Sequence, residues 1–319
     1  MRSLISLLAL TFYLLSANAA FADTQRDLQR AQKTLAKNDF DKAFKQFSAI
    51  KHPLAFFTLG LMEDLGMGRV ADRPKACRWY AKSAEGLIPT GIVRHANCLR
   101  DGVLGKPDPT ASAHWYGVAV EQGYHAAACL LGRQYMQGEG VPENKAKALQ
   151  LCEQAANSGS PDATLQLADW YADDSSEIYD QTKSMRWYYV AAEKGIARAQ
   201  HQFGMLVLNG RVEQMPPTES LPWLEKAAAQ GYADSYLPVA VHYWTHRSAE
   251  YPDSPPPEAL AKAYLWTSAA AQTSANDQAS TEIKTLLAEI NALMPAEWKA
   301  SLDEKLNAHL QKHHVAGGE

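Results

Sequence analysis

Small and apolar side chains recur along this chain in fixed phase. One series of small residues falls at Ala55, Gly91, Ala127, Ala163, Ala199 and Ser235, a constant spacing of 36 residues. A second runs through Gly60, Ala96, Gly132, Ala168, Gly204 and Ala240 at the same spacing. In a third, Ala76, Ser112, Ala148, Ser184 and Ser220 are each followed three residues later by Trp79, Trp115, Leu151, Trp187 or Trp223. Within a unit the apolar positions step by three or four, the period of a helix face. In the third unit, residues 124–137 carry Ala127, Leu131 and Tyr135 on one face, and residues 143–158 carry Ala148, Leu151, Cys152 and Ala155. Gly138-Glu139-Gly140-Val141-Pro142 separates the two with turn-forming residues, and Gly159 stops the second helix. Each unit therefore predicts a helix pair. A pair cannot bury its apolar face alone, so the period predicts an all-α solenoid of stacked antiparallel pairs.

The fixed positions can be followed from unit to unit. Residues 55–84 carry Leu59-Gly60, Gly66, Gly68-Arg69-Val70, Asp72, Ala76, Trp79-Tyr80 and Ala84. Residues 127–159 keep the same pattern, with Leu151-Cys152 in place of Trp-Tyr. The fourth unit keeps Trp187-Tyr188 and Ala191-Ala192 but has Asp174 and Ser176 where the loop glycines stand. The sixth has Pro238 within its first helix and a lengthened loop through Pro255-Pro256-Pro257, before Ala263, Trp266 and Ala270-Ala271 resume the pattern. On these residues, positions 52–273 resemble six repeats of the Sel-one-like repeat family, relatives of the tetratricopeptide repeat. The segment 23–51 resembles a plain tetratricopeptide hairpin serving as N-terminal cap. The resemblance implies a right-handed α-solenoid that binds other proteins. It also implies partners in an envelope assembly, such as an exopolysaccharide export system, a flagellar motor or a secretion-linked virulence complex.

The two ends read differently. Arg2, the apolar run Leu4 to Leu15 and Ala20-Phe21-Ala22 form a cleavable secretory leader over residues 1–22. The run is too short for a bilayer core of about 30 Å, so the expectation is a periplasmic or secreted chain that does not span the membrane. At the other end, residues 277–293 form an amphipathic helix with Ile283, Leu286, Leu287 and Ile290 on one side. A second helix follows Pro295 through Trp298, Leu302, Leu306 and Leu310. Residues 274–312 are expected to cap the open end of the array, and 313–319 to form a frayed tail. The alternative is a Trp298-to-Leu310 stripe that docks on a partner.

Four cysteines allow three pairings. Residues equidistant from a hairpin turn lie level, which pairs Cys129 with Cys152 and Cys77 with Cys98. Joining Cys98 to Cys129 would link parallel helices at levels about 7.5 Å apart. Four buried free thiols are the competing reading, and an exported compartment favours the disulfides.

With 31 basic and 35 acidic residues the chain carries a net charge of −4, and no basic stripe supports nucleic-acid binding. There is no G-x-S-x-G, H-E-x-x-H, phosphate-cradling glycine loop or C-x-x-C, so neither a catalytic residue nor a cofactor is assigned. His242 with His246 and His309 with His313 have helical metal spacing but lack further ligands, and they read as surface histidines. The Trp-Tyr pairs of the second helices recur where packing needs them. Better binding candidates stand on the first helices, namely Trp170, Tyr171, His242, Tyr243 and Trp244. Core filling competes for Tyr171 and Tyr243, because Tyr135 shares their phase. The sequence thus points to a non-enzymatic adaptor holding a protein or peptide. The alternative is a glycan or peptidoglycan module that stacks sugars on the groove aromatics.

Overall fold

The computed structural model describes residues 22–246, 248–273 and 277–314. The expected leader and the last five residues lie outside these, apart from Ala22. The chain divides into two compact units at Ser160/Pro161.

In the first unit, a helix over 22–35 (α1) and α2 (Phe40–Ala49) form the opening hairpin. The pairs α3/α4 (Pro53–Asp64, Arg73–Glu85), α5/α6 (Pro89–Arg100, Pro109–Glu121) and α7/α8 (Ala126–Gln137, Lys145–Asn157) follow. Leu28, Ala31, Ala43 and Phe47 of the opening hairpin share one core with Ala55, Leu59 and Met62 of α3. In the second unit, α9/α10 (Pro161–Ala172, Gln181–Glu193), α11/α12 (Ala197–Leu208, Leu221–Ala229) and α13/α14 (Tyr236–Thr245, Pro257–Thr273) are again paired. They are followed by α15 (Asp277–Leu293) and α16 (Ala296–His314). Each unit is an all-α stack of antiparallel pairs.

The small-residue series are packing positions. Ala55, Ala127, Ala163, Ala199 and Ser235 are buried, as are Ala96, Ala168 and Ala240. A Cβ on Gly60 would stand 2.5 Å from the Tyr80 ring, and one on Gly132 would stand 2.8 Å from the Ala148 carbonyl oxygen. The helices of a pair approach too closely for any side chain there.

The hairpin turns repeat in atomic detail. The backbone N–H groups of Asp72, Asp108, Asn144 and Asp180 donate to the carbonyls of Glu63, Leu99, Tyr135 and Tyr171, at 2.8, 2.8, 2.8 and 3.0 Å. The four side chains then cap the second helix by accepting from the N–H three residues on. This cap explains why α8 starts at Lys145, two residues later than the apolar pattern suggests. The fourth turn dispenses with glycine because Asp173 accepts from the Ser175 backbone and hydroxyl at 3.1 and 2.6 Å, a side-chain-built turn. Pro238 is tolerated because a short 3-10 turn over Ala233–Ser235 delays α13, leaving the proline in the first helical turn.

The sulfurs of Cys77 and Cys98, and of Cys129 and Cys152, lie at disulfide distance, with Cα separations of 5.9 and 4.0 Å. Leu302, Leu306 and Leu310 of α16 are buried against α12, α13, α14 and α15, so these leucines are not free to dock on a partner. The helix also outruns its expected end at 312. His313 belongs to it and packs on Gly231, where a Cβ would meet the imidazole.

Candidate interaction site

The first-helix aromatics separate by burial. Tyr171 is only 4% exposed, so its ring fills the fourth hairpin and offers no face to a partner, which corrects its place among the candidates. Tyr243 is half-buried and its hydroxyl is occupied: it donates to Glu225 Oε1 at 2.5 Å and receives Lys262 Nζ at 2.9 Å. His242 stands edge-on to Tyr243, and Trp244 packs partly on the core around Tyr264 and Ile290. Trp170 is half-buried on α9. Trp170 and Trp244 belong to different repeats with α11 between them, so they mark two points of the first-helix series and not one pocket. Among the described residues, no group of three or more His, Cys, Asp or Glu could hold a metal ion. His309 is no surface histidine: Nε2 lies 3.1 Å from the Tyr236 hydroxyl and the ring stands edge-on to Trp266.

Three second-helix tyrosines each bond across their own helix pair. Tyr80 donates to Asp64 Oδ2 at 3.1 Å, Tyr116 to Asn97, and Tyr188 to Asp169 Oδ1 at 2.8 Å. Burial, then the neighbouring carboxylate, pushes Tyr80 up, so its hydroxyl stays protonated and donates. Arg198 adds two 2.9 Å bonds to Asp169 beside Tyr188.

Where α3, α4 and α5 meet, beside Tyr80, lies a recess of about 320 Å³. Arg73, Arg94 and Arg100 surround it, with Asp64, Asp101 and Tyr80. Asp101 takes Arg73 at 2.5 Å and Arg100 at 2.9 Å, and Asp64 faces Arg94 at 3.7 Å. Burial raises the Asp101 carboxyl, but the hydrogen bonds and charge of Arg100 and Arg73 outweigh it and hold it below the usual carboxylate range. Apart from Tyr80, which belongs to the repeat pattern, none of these residues stood out in the sequence. The available signal was Arg94, Asn97 and Arg100, three polar residues stepping by three along one face of α5.

Burial also holds His95, His201, His242 and His309 below the ordinary imidazole range. Glu85 opposes it at His95 and Asp234 at His201, without prevailing. The folded state keeps these rings neutral while the unfolded chain protonates at about pH 6.5, so unfolding takes up protons below that pH. Stability should therefore fall as pH drops from 7.5 to 5.5. His201, which bonds Ser235 Oγ at 2.9 Å, offers the clearest case. A His201→Gln variant should show a shallower fall in melting temperature over that window. An equal fall would remove His201 from the effect.

The chain belongs to the Sel1 repeat family. The family's model matches residues 57–86, 90–124, 125–160, 161–196 and 197–232, more than half of the chain. The sixth expected unit, α13/α14, lies beyond the matched residues. Over 143 residues the chain is 28% identical to an exopolysaccharide production negative regulator of Rhizobium meliloti, covering 40% of this chain and 53% of that protein. Over 244 residues it is 26% identical to chitin synthase regulatory factor 3 of Schizosaccharomyces pombe, covering 61% of this chain and 26% of that one. The chain thus spans about half or less of these relatives. A protective antigen of uropathogenic Escherichia coli with an SLR fold superposes with a TM-score of 0.68 at 21% identity, covering 91% of this chain and 61% of that one. A Sel1 repeat protein from Oxalobacter formigenes gives 0.65 at 24% identity, with 77% and 100% covered. These two likenesses bear on the fold alone. Among the described residues, no helix is long and apolar enough to cross a membrane.

Proposed function

We propose that this chain is an exported, non-catalytic adaptor that holds a protein or peptide against its first-helix surface. The observation that carries this reading is the Sel1 repeat array itself, whose recurrent residues are spent on packing while the remaining first-helix positions differ from repeat to repeat. Its mechanism is preorganisation: a surface fixed by the stack presents aromatic and polar groups without an ordering cost on binding. The two cysteine pairs at disulfide distance suit an oxidising compartment such as the periplasm, in keeping with the leader read from residues 1–22. Relatives named as regulators of exopolysaccharide and chitin synthesis favour a partner within the machinery of envelope polysaccharide production.

The test is in-cell crosslinking of the tagged chain in the envelope, set beside a Trp170→Ala, Trp244→Ala variant. A defined protein captured by the native chain and lost from the variant is the expected result. Retention on purified cell-wall glycan with no protein captured would replace the adaptor with a glycan-binding module.

A further inference from the structure

We infer that the recess bounded by α3, α4 and α5 is a binding site for a carboxylate of an acidic peptide segment. The inference rests on the adaptor reading and names the chemistry of the partner. The chain as a whole is acidic, at −4, yet this recess gathers three guanidinium groups against two carboxylates. A concave surface of inverted sign concentrates the opposite charge.

The internal pairing leaves capacity on the arginines. Asp64 and Asp101 have side chains 21% and 28% exposed, whereas Arg73 and Arg94 are 57% and 50% exposed. The carboxylates are therefore covered and the guanidinium groups face solvent. Each guanidinium has five N–H donors. Arg73 gives one short contact to Asp101, and Arg94 stands 3.7 Å from Asp64, beyond hydrogen-bond length. Planar forks with spare donors are matched by a carboxylate, which can accept two parallel bonds. At about 30 Å³ per water the recess has room for roughly ten waters, enough for an acidic side chain and adjoining backbone. Its net charge of one positive unit suits a monoanion. A phosphate dianion would meet Asp64 and Asp101 with charge to spare.

Arg94 is the residue to change, because its loose contact with Asp64 carries little of the fold, as exposed ion pairs generally do. The experiment follows the arginine Nε–Hε resonances of the full chain while adding one of three probes. These are a terminally blocked hexaglutamate, a blocked pentaalanine with a free C-terminal carboxylate, and inorganic phosphate. Hexaglutamate should shift the Arg94 and Arg73 signals. Arg94→Glu should weaken its binding at least tenfold with the melting temperature unchanged, and 0.3 M salt should weaken it in the native chain. Equal binding of the pentaalanine would assign the site to chain-end carboxylates within the same chemistry. Phosphate binding more tightly than either peptide overturns the proposal, as does hexaglutamate affinity that Arg94→Glu leaves unchanged. The envelope crosslinking separates the two readings. A partner still captured by a chain that fails to bind hexaglutamate leaves the adaptor standing and removes the recess. Hexaglutamate bound at Arg94 by a chain that captures no protein does the reverse.

Discussion

Reducing both cysteine pairs should cost the first unit about 6 kcal/mol of unfolding free energy, roughly 3 kcal/mol per bond if the two contributions add. The pairs close segments with sequence separations of 21 and 23 residues, and chain-entropy arguments give each that magnitude. All four cysteines lie before Ser160 and none after it. Urea denaturation with and without a phosphine reductant should therefore shift a transition belonging to α3–α8. Hydrogen exchange should locate the lost protection there and leave α9–α14 unchanged. A loss under about 1 kcal/mol would mean that the native chain holds its cysteines reduced or that the bonds are strained. The third hairpin shows why the bond matters. Cys152 occupies the position held by Tyr80, Tyr116 and Tyr188 in other repeats, whose hydroxyls tie the second helix to an acceptor on the first. The third repeat has no such hydroxyl. Cys129 supplies the tie instead, and reduction leaves two small apolar thiols in its place.

Much of the fold was legible because its information is local and repeated. A helix pair, its turn and its small contact residues fall within one 36-residue unit, and six copies reinforce one another. The cysteine pairing was legible for the same reason, since mirrored distance from a turn is a property of one hairpin. Burial was legible less reliably. Tyr171 and Trp170 are adjacent, yet one is core and the other half-exposed, and a residue series cannot say how far a neighbouring pair overlaps them. His313 looked like tail because nothing nearby in sequence needs it; its partner, Gly231, is distant along the chain. The arginine recess was hardest to see. Arg73 meets Asp101 across 28 residues, and Arg94 meets Asp64 across 30, so the charge cluster exists only once successive hairpins stack. The α5 face with Arg94, Asn97 and Arg100 was the single local trace of it.

Replacing Gly140 with alanine should destabilise the first unit by about 3–4 kcal/mol, well beyond the usual effect of a loop substitution. Two costs combine. Gly140 has φ of +71°, a left-handed conformation that costs an L-residue roughly 1–2 kcal/mol. Its missing Cβ would also fall onto the backbone of Pro109 and Thr110 at the start of α6. Backbone cannot swing aside as a flexible side chain can, and such overpacking costs about 1–3 kcal/mol. Gly210→Ala isolates the first cost, since its φ is +65° but nothing lies within 4 Å of the added carbon. That variant should lose only about 1–2 kcal/mol. Comparable losses in the two variants would mean that the α7–α8 turn does not press on α6. The contact reaches beyond stability, because Gly140 sits where the turn of one hairpin seats on the second helix of the hairpin before it. Gly68 does the same two hairpins earlier, where a Cβ would stand 2.6 Å from Phe40 of α2. These seats set the spacing of successive hairpins and with it the first-helix surface. An adaptor that recognises by preorganised shape should therefore lose partner affinity in Gly140→Ala at temperatures where the chain remains folded.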